Sequence, residues 1–299
     1  MSRISQSAKP KLACEIAADR VIAARVADSG QVLELCSTSE LAPGCVVPDL
    51  TDNNLRERNS VVSTLREALG NVGARSRDVI AVLPDAAARV VLLDFETLPD
   101  NREEAEGVVR FRLRKSLPFD VDKAKVSYQA QKADGALRVV AAVVLHSVLA
   151  EYEAAFREAG FSPGVVVPSM LAALGGAPAD RPTLVVKVDA RTTSIAILDH
   201  QQLLLFRTLE NTRGVTISGE QLAEDVYPSV VFFQDTYNTN IEEIFVAGIS
   251  DVAGATPALH AQTGAEVKEL VRASQLGLGG GAIPKWRMAG VVGALLSTN

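Results

Sequence analysis

Residues 11–35 read KLACEIAADRVIAARVADSGQVLEL, and residues 183–206 read TLVVKVDARTTSIAILDHQQLLLF. Each stretch opens with an apolar run, Lys11 to Ala17 and Thr183 to Val188, that closes around an acidic side chain. A second run follows, Val21 to Val26 and Ser194 to Leu198. An Asp-containing turn, Asp28-Ser29-Gly30 or Asp199-His200-Gln201, leads to a third, Val32 to Leu35 and Gln202 to Arg207. Short apolar runs bounded by Gly, Asp and Ser read as β-strands. Each half therefore predicts a three-stranded meander, with Glu15 and Asp189 expected at the same place, the end of the first strand. Two meanders, each followed by helices and a further strand, predict a duplicated, two-lobed α/β protein.

Between the repeats, Asn53 to Gly70 has the three-or-four spacing of a helix, and Asp78 to Leu83 reads as a buried strand ending at Pro84. Arg89 to Phe95 is a strand. Arg102 to about Leu117 is a helix with Asp100 as its expected N-cap and Glu103 completing a capping box, stopped by Pro118. Val126 to Lys132 and Leu137 to Leu145 form a hairpin around Asp134-Gly135. Ser147 to Ala159 is a helix closed by Gly160. This order predicts a small α+β module inserted in the first lobe. The expected division is a first lobe over 1–87, the module over 88–160, and a return helix and linker over 161–182. A second lobe follows over 183–282 and a C-terminal helix over 283–299. Within the second half, Ser218 to Asp235 is helical with a kink expected at Pro228, Glu243 to Ala247 is a strand, and Pro284 to Leu296 an apolar helix.

The chain has 299 residues, the length of about two domains. Hydrophobic residues are 47% and charged residues 22%, which excludes a disordered chain. A net charge of −6 argues against a nucleic-acid partner, because a duplex requires clustered Lys and Arg. Aromatic residues at 5% exclude a base-stacking or sugar-stacking surface. The three cysteines, Cys14, Cys36 and Cys45, have no C-x-x-C spacing, which fits a reducing compartment. Met1 to Lys11 has no apolar core of a secretory signal, and the longest apolar stretch, Val139 to Leu145, is far short of the ~20 residues that span a bilayer. A cytoplasmic protein is expected.

No G-x-x-x-x-G-K-[ST] loop and no G-x-S-x-G elbow occurs. His146, His200 and His260 are scattered, so no metal site is expected. Gly277 to Ala282 matches G-x-G-x-x-A literally, but too near the C-terminal end for a dinucleotide fold, and reads as a loop before the last helix. Two acidic strand ends facing across a cleft could position Mg²⁺ and nucleotide phosphates. Backbone N–H groups reach phosphate closely only where no Cβ intervenes, so glycine is needed two residues on. Here Glu15 is followed by Ile16-Ala17 and Asp189 by Ala190-Arg191. Thr192, Thr193 and Ser194 keep hydroxyl groups in the second loop, and Arg191 could pair with phosphate or with Asp189. At the end of the module helix, Arg110, Arg112, Arg114 and Lys115 match the helix dipole. They read either as a solvated helix end or as a docking face for an acidic peptide or an anionic membrane surface.

The stretch from Glu106-Gly107-Val108-Val109-Arg110 to Leu117-Pro118-Phe119-Asp120, with Val126-Ser127-Tyr128-Gln129 after it, resembles the helix–Pro-Phe–strand signature of the PilM family of type IV pilus assembly proteins. Phe206-Arg207-Thr208 and Met288 to Leu295 resemble a later strand and the closing helix of that family, in the right order. The resemblance implies an actin-like (ribonuclease H-like) duplicated fold, related to the cell-division protein FtsA, with the inserted module in the first lobe. PilM-like proteins carry Asp-x-Gly in both phosphate loops and a Gly-Gly pair at the adenosine pocket. Here those places read Glu15-Ile16-Ala17, Asp189-Ala190-Arg191 and Ala247-Gly248-Ile249.

The resemblance therefore implies a degenerate nucleotide cleft built from Glu15, Ala17, Asp189, Arg191, Thr192, Thr193 and Gly248, with no cofactor or at most weak Mg-ATP. The implied role is a non-catalytic adaptor of a type IV pilus or related secretion platform. Related domains of the secretion protein GspL are the model for such a scaffold. The implied partner is the cytoplasmic tail of a PilN-type membrane protein, taken into a groove on the first lobe beside the module. Cytoplasmic motor components are further expected partners, and the protein would lie against the inner membrane through PilN. Arg110, Arg112, Arg114, Lys115 and the strand Arg89 to Phe95 are the candidates for that contact. The competing readings are a nucleotide-binding actin-like ATPase in the same machine and a metabolite kinase, which would need a larger second lobe.

Overall fold

The computed structural model describes residues 9–73, 76–133, 136–279 and 283–297. The expected turn at Asp134-Gly135, the first eight residues and Gly280-Gly281-Ala282 lie outside the described residues. The first half runs β1 (Leu12–Ile16), β2 (Arg20–Val26), β3 (Leu33–Glu40), α1 (Arg58–Asn71), β4 (Asp78–Leu83), β5 (Arg89–Phe95), α2 (Arg102–Leu113), β6 (Ala124–Ala133), β7 (Ala136–Leu145), α3 (His146–Glu158), β8 (Ser162–Pro168) and α4 (Ser169–Leu174). The second runs β9 (Thr183–Val188), β10 (Thr192–Asp199), β11 (Gln202–Glu210), α5 (Gly219–Tyr237), β12 (Glu243–Ala247), α6 (Val252–Thr263), β13 (Glu266–Glu269), β14 (Leu276–Gly279) and α7 (Ala289–Leu296).

Two sheets carry the duplication. Their strand orders are β14-β3-β2-β1-β4-β8 and β11-β10-β9-β12-β13. With β14 set aside, both are an antiparallel meander whose first strand pairs in parallel with a later one. A central strand covered on both faces reads as continuous apolar sequence rather than alternation. β1 and β9 are buried along their whole length, which is why both were legible. Helix α5 is capped by Ser218, whose hydroxyl accepts from the Gln221 N–H, and it continues through Pro228. The sheets are joined by one apolar core. Ile22, Ile80 and Met170 of the first lobe meet Val185, Ala196 and Phe245 of the second, with Val291 and Val292 of α7 among them.

A third sheet, β5-β7-β6, is antiparallel and forms the inserted module. Val109 and Leu113 of α2 pack with Phe95, Val126, Val139 and Val143 as its core. Several expectations change here. The cap of α2 is Asn101, whose side-chain oxygen accepts from the N–H groups of Glu103 and Glu104, not Asp100, and the helix ends at Leu113. Helix α3 belongs to the first lobe rather than to the module: Val148, Tyr152, Ala155 and Phe156 are buried with Leu65 and Leu69 of α1. Residues 161–182 contain strand β8, parallel to β4, as well as α4.

Helix α1 begins at Arg58 because the buried Asn54 holds residues 49–54 in a turn, donating to the carbonyls of Asp49 and Asp52. α6 and β13 gave no sequence signal: Gly254 and Pro257 interrupt the helix, and the strand has only four residues. Gly277, expected in a loop, lies in β14 beside β3, where a Cβ would sit 2.6 Å from the Leu33 carbonyl oxygen. Helix α7 closes the first lobe by packing on α4, where a Cβ on Gly293 would sit 2.1 Å from the Ala172 carbonyl oxygen.

Candidate functional site

The ends of β1 and β9 meet at the junction of the lobes. Glu15 lies opposite Ile22 in the first meander, and the same ladder position in the second, opposite Ser194, is Lys187. The parallel neighbours agree, with Glu15 beside Val82 and Lys187 beside Ala247. Past the strand end, the Ala17 N–H donates to the Arg20 carbonyl at 2.8 Å and the Asp189 N–H to the Thr192 carbonyl at 2.7 Å. Lys187 is therefore the counterpart of Glu15, and Asp189 the counterpart of Ala17. The equivalence of Glu15 and Asp189 expected from sequence is corrected by two residues.

The Lys187 ammonium is enclosed. Its Nζ lies 2.5 Å from Asp189 Oδ2, 3.8 Å from Glu15 Oε1 and 3.9 Å from Asp85 Oδ2. Asp85, in the turn after β4, accepts from the Met170 N–H at 2.7 Å and from the Ser194 hydroxyl at 2.9 Å. The Ser169 hydroxyl, at the start of α4, donates to Glu15. Arg20 reaches Asp189 at 3.8 Å and Asp19 at 2.7 Å. Two cations and four carboxylates thus interlock across both lobes, with Glu15, Asp85, Arg20 and Lys187 buried.

The electrostatics follow from burial. Desolvation pushes the carboxyl pKa of Glu15 up, and Lys187 opposes that rise. Asp85 is raised for the same reason, with Lys187 and the Met170 N–H opposing. Burial acts to lower the Lys187 pKa, but Asp189, Asp85 and Glu15 together outweigh it and hold the amine above the ordinary lysine value. A buried charge is tolerated only when it is paired and hydrogen-bonded. The cluster meets that condition except at Glu15 Oε2 and Arg20 Nε, which have no hydrogen-bond partner among the described residues.

The remaining candidates are dispersed. Thr193 is buried with no partner for its hydroxyl among the described residues, and Thr192 is buried beside the turn. Arg191 is exposed, and its charge is among the influences that lower the Asp49 pKa, after the Thr51 and Asp52 N–H groups. Gly248 has φ +88° and a Cβ there would lie 1.7 Å from the Val188 carbonyl oxygen, so its place is set by close backbone approach. On α2, Arg110 donates to the carbonyls of Val121 and Ala124 and pairs with Glu106, Arg114 pairs with Asp122, and Arg112 lies over the Phe95 ring. Those three arginines are held within the module, while Phe111 beside them is 65% exposed. The sequence reading missed Lys187, Asp85, Arg20 and Ser169. One signal was present for Lys187: it is the lone charge in the apolar strand TLVVKV.

No family model and no curated protein sequence matches the chain. Solved structures do. The chain is similar to a chain of a PilM-PilN type IV pilus biogenesis complex, with 18% identity, 96% of this chain and 98% of that one covered, and a TM-score of 0.78. It is similar to a Bacteroides thetaiotaomicron protein of actin-like ATPase fold and unknown function, with 12% identity over 100% of both chains and a TM-score of 0.58. It is also similar to the ethanolamine utilization protein EutJ of Carboxydothermus hydrogenoformans, with 10% identity, 96% and 89% coverage and a TM-score of 0.50. The fold is the actin-like ATPase fold, as the resemblance in the sequence implied.

That fold implies a Mg-nucleotide between the two turns, and the residues present do not fit one. The space bounded by Ala17, Pro48, Pro84, Asp189, Ala190 and Thr192 is about 10 Å³. That is room for about one water between the turns. Asp189 adds a carboxylate where a phosphate would need bare N–H groups, and the Lys187 ammonium stands among the carboxylates a cation would use. Among the described residues, no group of three His, Cys, Asp or Glu is arranged to hold a metal ion. No described helix is long and apolar enough to cross a membrane.

Proposed function

We propose that this protein is a non-catalytic adaptor of a type IV pilus or related secretion assembly platform, binding the cytoplasmic tail of a PilN-type inner-membrane protein. Through that tail it sits against the inner face of the membrane, where it presents its remaining surface to cytoplasmic motor components. The observation that supports the non-catalytic part is the ion cluster: the Lys187 ammonium stands among Glu15, Asp85 and Asp189, and Asp189 takes the turn position that Ala17 holds in the first lobe. The partner rests on fold likeness over nearly the whole chain to a protein solved in a PilM-PilN complex. An actin-like body suits the role because two lobes and a module present several distinct surfaces, and a shared core holds them together.

Two measurements test this. Isothermal calorimetry with Mg-ATP is expected to be silent at millimolar nucleotide, and micromolar binding sinks the non-catalytic reading. A pull-down with the cytoplasmic segment of a PilN-type protein encoded by the same organism is expected to retain the chain, and failure to retain it removes the adaptor reading.

A further inference from the structure

The inserted module and the second lobe meet through two sheet edges. Among the described residues β5 has a ladder partner on one side, β7, and β11 on one side, β10; the two open edges approach each other, and the Leu203 N–H at the start of β11 donates to the Gln131 side chain. Both line one groove of about 610 Å³, within the usual ~300–1,000 Å³ of ligand sites. A free strand edge offers a row of N–H and C=O groups to an incoming extended chain.

The groove's charge contrasts with that of the whole protein. Arg89, Arg138 and Arg207 line it, against a single carboxylate, Asp94. Arg138 already holds Asp94 at 2.6 Å and donates to the Tyr237 hydroxyl at 2.6 Å, tying the module to α5. Arg89 and Arg207 have no ion pair among the described residues. The apolar floor is half-buried Val90, Leu92 and Phe206, with Phe232 51% exposed at the rim.

We propose that this groove docks an extended acidic segment of another protein, about seven to nine residues long, which pairs its backbone with a free edge of β5 or β11 and its carboxylates with Arg89 and Arg207. The seven residues of β5 and the nine of β11 set the upper limit of that length. The site goes beyond the tail-binding reading: although β5 is also a candidate for the tail contact, this groove adds β11 and α5 of the second lobe, whereas the resemblance places the tail on the first lobe.

The test is fluorescence anisotropy on the full chain with a labelled nine-residue peptide of alternating Glu and Val. Comparison peptides carry Lys in place of Glu, or N-methyl groups on alternate backbone amides. The acidic peptide is expected to bind, the Lys peptide not, and the N-methylated one at least tenfold more weakly. The double variant Arg89→Glu/Arg207→Glu is expected to lose binding at least tenfold with an unchanged thermal midpoint. The milder Arg89→Gln/Arg207→Gln gives the same direction should the first fold poorly. Absence of binding, equal binding of the Lys peptide, or indifference to N-methylation overturns the proposal. Self-association that the same substitutions abolish overturns it too, because the occupant is then a second copy. The PilN-type tail is expected to bind the single variant Arg207→Glu normally; its loss overturns the separateness of the two sites without touching the adaptor reading.

Discussion

Lys187 and Glu15 are the same residue of the fold written twice, and they face each other with Nζ 3.8 Å from Oε1. Each stands on the first strand of its lobe, one step from the strand end. In a symmetric cleft two carboxylates would converge there and require a cation between them. Here one lobe supplies the cation as a side chain. A lysine is a compact point charge on a flexible stem, suited to a crowded carboxylate cluster. It reaches Asp189 and Asp85 as well, so carboxylates from both lobes share one tethered counter-ion.

Lys187→Met is expected to destabilise the protein by about 3–5 kcal/mol near pH 8, because it leaves buried carboxylates without a counter-charge. The Glu15 and Asp85 pKa values are already raised by burial, and losing Lys187 raises them further. A raised folded-state pKa favours the fold at low pH, and that contribution is lost as pH rises through the folded value. The deficit against wild type should therefore shrink at pH 5 and widen toward pH 8. Thermal midpoints of both proteins at the two pH values check this, and a deficit independent of pH contradicts it.

The triple variant Ala17→Gly/Lys187→Asp/Asp189→Gly removes the tethered cation and both side chains that crowd the turns. It is expected to gain a Mg²⁺-dependent rise in thermal midpoint with ADP, while wild type shows none. Ligand at 100 times its Kd contributes about 2.7 kcal/mol, so the shift is measurable. A wild type that shifts as much as the variant contradicts the account of the cleft.

Gly293 and Gly107 make a pair of opposite sign. Gly293→Ala would drive its Cβ into the Ala172 carbonyl where α7 crosses α4, costing about 1–3 kcal/mol. Gly107 is an exposed residue within α2, and a Cβ added there would meet nothing within 4 Å, so Gly107→Ala should stabilise by about 0.5–1 kcal/mol. Urea midpoints of the two variants, read against wild type, decide the signs.

Arg110→Glu breaks the donations to Val121 and Ala124 and sets two acids one helical turn apart, for a loss of about 1.5–3 kcal/mol. Lys115→Glu, with no such bonds, should stay within about 0.5 kcal/mol. Hydrogen exchange in β6 is expected to quicken only in the first. A partner contact at this end of the module is then better sought at Phe111 of the helix and at Lys115 just beyond it than at Arg110.

The duplication was legible because strand periodicity is local: each meander announced itself through its own buried first strand and its own turns. The module was legible for the same reason, from β5 to β7. What failed were features whose signal is spread over distant chain. β8 has three prolines and glycines among seven residues, SPGVVVP, and is recognisable only beside β4. α3 looked like part of the module because it follows β7 directly, yet its apolar face is completed by α1.

The sequence alone determined that two copies of one α/β unit are present and that no glycine stands from Glu15 to Ala17 or from Asp189 to Arg191. Only the tertiary structure decided which side chains meet there. A shift of two residues along a strand is invisible in an apolar run, and pairing register alone fixes which side chain stands opposite which. That register made Lys187 the counterpart of Glu15 and brought Asp85 and Ser169, far apart in the chain, into contact with the pair. Burial then made the arrangement ionic, because a charge withdrawn from water must find its counter-charge within the protein.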